Sequence, residues 1–112
     1  MKTLLLLTAL MMSSLPVKAD DTRLLNRETV VGALAGVDCQ VRNGKMTEEE
    51  GKELLNIYLS FNPELKDAYS WALSSDKASK AVQALTPYVK SDCKASTISD
   101  DEARRLLRPY LK

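Results

Sequence analysis

Apolar residues recur three and four apart along almost all of residues 20–112, and no stretch alternates apolar with polar as a strand would. That pattern confines the chain to packed helices. Val30, Leu34, Val37 and Val41 are spaced four, three and four apart, marking one face of a first helix. Asn43-Gly44 should end it, because glycine takes the left-handed stop conformation without steric cost. Thr47 to Glu50 reads as a capping box, in which Thr47 and Glu50 satisfy each other's free amides. Leu54, Leu55, Tyr58, Leu59 and Phe61 are the expected apolar side of the second helix.

Asn62-Pro63 stops the second helix and starts a third, with Asn as cap and Pro in the first turn. Leu65, Ala68, Tyr69, Ala72 and Leu73 face one way on it. Ser75-Asp76 caps a fourth helix bearing Ala78, Ala81, Val82, Leu85 and Val89, which Pro87 should kink or end. Ser99 to Glu102 forms a second capping box, leading into Ala103, Leu106, Leu107 and Tyr110. The expected fold class is all-α, a small bundle of about five short helices stapled by one disulfide.

Residues 1–19 have the form of a signal peptide. Lys2 supplies a basic start, Leu4 to Met12 is a compact apolar run, and Ser13 to Pro16 breaks it. Val17-Lys18-Ala19 puts small residues at the −3 and −1 positions of a cleavage site. The run falls short of the about 20 residues that span a bilayer, so no integral membrane segment is expected in the mature chain. Residues 20–112 then form a single helical domain, periplasmic or secreted after cleavage following Ala19. In such a compartment Cys39 and Cys93, the chain's two cysteines, read as one disulfide with a single possible connectivity.

Removing Lys2 and Lys18 from the 16 basic residues leaves 14 against 15 acidic ones, a net charge of about −1. The two signs are interspersed. With no basic stripe to neutralise phosphates, nucleic acid is not an expected partner. Catalysis and cofactors have little to stand on. The chain contains no histidine, which removes the commonest neutral-pH base and the Ser–His and Cys–His nucleophiles. Two cysteines without histidine give no zinc spacing. Carboxylate pairs such as Asp100-Asp101 sit in first helical turns, where the helix dipole favours negative charge. No enzyme, metal or cofactor is therefore predicted.

Three features remain open to function. Asn43-Gly44 followed by Glu50 looks like the second half of a calcium loop, but Cys39 and Val41 stand where its first carboxylates belong. Trp71, the single tryptophan, lies beside the Leu65–Ala68–Ala72 stripe, where it closes a core edge or, with Tyr69, anchors a partner. Met46–Leu55 and Ile98–Leu107 echo each other, and Tyr58-Leu59 matches Tyr110-Leu111 at the same offset. This reads as a duplicated unit or, more simply, as two capped amphipathic helices that converge on similar residues.

The stretch Val82-Gln83-Ala84-Leu85-Thr86-Pro87-Tyr88-Val89-Lys90-Ser91-Asp92-Cys93 resembles the segment before the second cysteine in HdeA-type periplasmic acid-stress chaperones. Around Cys39 the chain lacks that family's aromatic and acidic neighbours, and it carries an extra helix before this cysteine. The resemblance implies a chaperone folded at neutral pH and activated when acid loosens it. Carboxylates are the side chains here that titrate in the acid range, with Glu50 and Glu102 as acid-sensitive helix caps.

The sequence thus points to an exported, non-enzymatic domain that binds a protein partner or unfolded clients, with periplasmic acid-stress chaperoning as its most concrete form. A homodimer is open. The alternatives are an envelope or virulence-associated factor holding a small ligand or specific partner between helices, and a degenerate calcium-binding hairpin pair.

Overall fold

The computed structural model of the chain describes residues 19–112. The sequence reading of residues 1–19 as a leader falls, apart from Ala19, outside the described residues. Five α-helices follow: α1 (Ala19–Arg42), α2 (Glu48–Phe61), α3 (Lys66–Ser74), α4 (Asp76–Leu85) and α5 (Asp100–Leu111). Single 3-10 turns, Pro63–Leu65 and Thr86–Tyr88, join α2 to α3 and close α4. Among the described residues there is no strand, only an isolated antiparallel bridge between Val89 and Ser96. The expected all-α bundle is the fold observed.

α1 is the spine, because it presents two stripes one residue apart, about 100° around the helix from each other. Val31 and Ala35 pack with Ala81, Leu85, Leu107 and Leu111, forming a core shared with α4 and α5. Val30 packs with Leu59, Leu65 and Ala68, forming a second core shared with α2 and α3. The sequence reading recognised the stripe beginning at Val30 and missed its neighbour. Upstream, α1 runs eleven residues before Val30, carried by Leu24 against the first core and by Asp21 in the first turn, where the dipole favours it.

Polar contacts fix α5 against α1 across a long sequence separation. Arg104 Nε lies 3.1 Å from Glu28 Oε2. Arg27 donates a 2.6 Å hydrogen bond to the Leu111 carbonyl, one of the acceptors a helix end leaves unpaired. Its guanidinium also lies over the Trp71 ring, 4.5 Å from the centroid.

Both capping boxes form as expected: Glu50 N–H donates to Thr47 Oγ1 and Thr47 N–H to Glu50 Oε1, and Ser99 with Glu102 repeats the exchange. Gly44 takes φ +73° at the end of α1, and the helix before Pro87 ends at Leu85. Two expected caps are corrected. Asn62 makes no side-chain cap for the next helix; its Nδ2 donates to the Tyr58 carbonyl at 2.9 Å, which turns the amide back over the end of α2. Ser75 has the extended backbone of a cap but no side-chain cap bond.

α2 crosses α1 at Gly51, where a Cβ would lie 2.8 Å from Val37 Cγ1. Val37 is β-branched and has essentially one helical rotamer, so it cannot swing away. Gly51→Ala should therefore lower stability, with about 1–3 kcal/mol of overpacking outweighing about 1 kcal/mol of improved helix propensity. Nothing lies within 4 Å of a Cβ on Gly32, so Gly32→Ala should raise stability by about 0.5–1 kcal/mol. Thermal melts of the two variants check this through shifts of opposite sign; a rise in both would show that α2 slides off α1 without cost.

Candidate protein-binding face

α2 carries more apolar side chains than one buried stripe can hold. Gly51, Leu55 and Leu59 face inward. Leu54, Ile57 and Phe61, spaced three and four apart, form a second stripe centred roughly 130° around the helix from the first. Their exposures are 44%, 55% and 80%. This corrects the expectation that Leu54 and Phe61 share the core side with Leu55 and Leu59. Leu73 on α3, expected on the packed face, is also 69% exposed. The spacing of Leu54, Ile57 and Phe61 was the available signal, and Ile57 completes it.

The charged residues of α2 that border this stripe are acidic. Glu50 and Glu53 lie one turn before Leu54 and Ile57 and are exposed, one Glu50 oxygen being held by the Thr47 N–H. Glu64, just beyond Phe61 in sequence, lines instead a cleft against α1 with Arg23 and Arg27. Lys52 lines the cleft between α1 and α2 with Val37, Val41 and Glu48. Lys66 lines an open cleft of about 390 Å³ between α2 and α3, with Asn56, Ser60 and Tyr69. The Tyr58 hydroxyl is pushed above its usual value by burial and then by the nearby Glu64 charge.

Tyr69 and Trp71, the residues singled out as partner anchors, are both half-buried and lie apart from the stripe. Tyr69 packs against the second core, whereas Trp71 packs against the first and is covered in part by Arg27. The groove expected between helices is present as a cleft of about 220 Å³, with Gly32, Gly36, Val89, Cys93 and Leu107 among its lining. That volume lies below the roughly 300–1,000 Å³ usual for a small-molecule site, whereas the open cleft between α2 and α3, about 390 Å³, falls within it.

Cys39, in the last turn of α1, is bonded to Cys93 in the segment after α4. Cys93 adopts φ +63°, in the left-handed region, inside a turn closed by Lys90 N–H to the Ala95 carbonyl and Thr97 N–H to the Tyr88 carbonyl. The Asn43 amide donates to the Ser91 carbonyl at 3.3 Å and to Cys93 Sγ at 3.4 Å. The supposed calcium loop is thus spent on other contacts: its first position is a bonded sulfur, and Asn43 serves the disulfide turn. Among the described residues no group of three or more Asp, Glu, His or Cys is placed to hold a metal. The echo between the two halves is confined to the capped helices. Leu55 and Leu59 are buried in the same register as Leu107 and Leu111, but Cys39 is helical and Cys93 lies in a turn.

Among the described residues no polar or charged residue is buried. Two carboxyls, one at an exposed helix cap and one in an exposed turn, are held below their ordinary values. The Glu102 carboxyl is held below its ordinary 4.5, chiefly by the Ser99 backbone N–H and then by the Ser99 hydroxyl. Asp92, which the sequence reading passed over, is held below 3.8, chiefly by the Lys94 N–H, which donates to its Oδ1 at 2.9 Å. Both folded-state values are depressed, so their stabilisation is present above the ordinary carboxylate range and is lost as pH falls through the lower folded values. The wild type should accordingly lose its advantage over Glu102→Gln between neutral pH and pH ~2. Urea midpoints at both pH values check this; a gap that stays constant would contradict it.

Comparison with known protein families, characterised proteins and solved structures returns no match to this chain. No helix among the described residues is long and apolar enough to cross a membrane.

Proposed function

We propose that this is an exported, non-enzymatic protein-binding domain whose binding face is the outer side of α2. The observation that carries the reading is the stripe of Leu54, Ile57 and Phe61, exposed while the rest of the bundle is folded. Large apolar side chains in helical register on a solvent face leave water-exposed area that association would bury. Helix–helix docking uses this same three–four spacing. Binding of this kind needs no catalytic group, and it needs no unfolding to uncover the face.

A second reading keeps the resemblance of residues 82–93 to HdeA-type chaperones and makes binding acid-triggered. The depressed Asp92 and Glu102 carboxyls favour it, because acid removes stabilisation at the start of α5 and in the disulfide turn. The two readings differ in when binding begins. Calorimetric titration with a permanently unfolded, carboxymethylated client at pH 7 and pH 3 separates them. The α2 reading expects binding at pH 7. Binding confined to pH 3 would replace it with the acid-triggered chaperone.

A further inference from the structure

We infer that the occupant of the α2 face is a cationic amphipathic helix of a partner protein. The inference rests on the α2 face being the binding face and adds the chemistry of what docks there. Leu54, Ile57 and Phe61 follow the spacing by which one helix seats its ridges against another. In that register Glu50 precedes Leu54 by one turn, and Glu53 flanks Leu54 and Ile57. Both are exposed, whereas Lys52 lines the cleft against α1 and Lys66 the cleft between α2 and α3. A partner helix therefore meets an apolar seam edged by carboxylates. The matching surface has apolar residues three and four apart with Lys or Arg beside them.

The same charges oppose the other occupants. Two copies pairing in parallel through this face would set Glu50 and Glu53 against their own counterparts. Antiparallel pairing would set them beside Phe61, with no cation of α2 within the stripe to offset them. These charges disfavour a homodimer through α2. An anionic lipid surface meets the same carboxylates and is repelled by them.

The test uses the disulfide-bonded protein at pH 7 and two synthetic amphipathic helical peptides with identical apolar positions. One peptide carries Lys at the flanking positions and the other carries Glu. Vesicles of phosphatidylglycerol are a third probe, and sedimentation of the protein alone reports self-association. The Lys peptide should bind and shift the amide resonances of residues 50–64. Its affinity should fall with added salt. It should weaken by about tenfold or more in Phe61→Ser, the loss of one well-buried anchor. Glu53→Lys should narrow or reverse the preference between peptides while leaving the far-ultraviolet spectrum unchanged. Equal binding of both peptides would overturn the charge inference and leave the apolar face standing. Binding of neither would overturn the face itself. Vesicle binding, or a dimer broken by Phe61→Ser, would replace the cationic helix with that occupant.

Discussion

Reduction of the Cys39–Cys93 bond should cost the domain about 4 kcal/mol, the chain-entropy value for closing a loop of this length. The cysteines are 54 residues apart, and the loop they close contains α2, α3 and α4. For a domain of this size, holding about 5–10 kcal/mol in total, that is a large part of the margin. The native bond also fixes the turn after α4, where Cys93 takes a backbone conformation that non-glycine residues seldom hold unaided. A loss of this size corresponds to a fall in melting temperature of roughly 15–30 °C. Thermal unfolding with and without reductant, and of Cys93→Ser, measures it. A fall of less than about 5 °C would mean that the two helical cores alone hold the fold.

Leu107→Ala is expected to destabilise by about 2–5 kcal/mol, through lost transfer free energy and the cavity left behind. Leu107 is 1% exposed and packs in the core formed by α1, α4 and α5. It lies three residues beyond Arg104, whose bond to Glu28 holds the same helix pair. Ile57→Ala, on the open face of α2, should change stability by less than about 0.5 kcal/mol. Urea unfolding of both variants reads the contrast directly. Comparable losses in the two would mean that Ile57 is packed against something, and the face would not be free.

Local chemistry was legible in the sequence and long-range packing was not. The two capping boxes, the Gly44 stop and the end of α4 before Pro87 are each decided within a few residues, and each formed as read. Asn62 was misread because its amide lies between two helices and is oriented by the Nδ2 bond to the carbonyl behind it, which leaves its oxygen without a bond to the next helix. The second stripe of α1 was hidden by interleaving: Val31 and Ala35 matter because a spine between two cores needs two faces. The ties of Arg104 to Glu28 and of Arg27 to the Leu111 carbonyl join residues 76 and 84 positions apart, beyond the reach of any local pattern. The exposed stripe of α2 was missed for a related reason. Leu54 and Phe61 were assigned to the core side with Leu55 and Leu59, and Ile57 was left out, whereas one helix can bury only part of its circumference against α1.

The central claim is that Leu54, Ile57 and Phe61 form an open binding face on the folded protein at neutral pH. It is tested most directly by calorimetric titration at pH 7 of the amphipathic peptide with flanking Lys into the protein and into an Ile57→Ser/Phe61→Ser variant of unchanged melting temperature. The protein is expected to bind the peptide and the variant to bind it at least about tenfold more weakly. Equal binding to the two, or none to either, would contradict the claim.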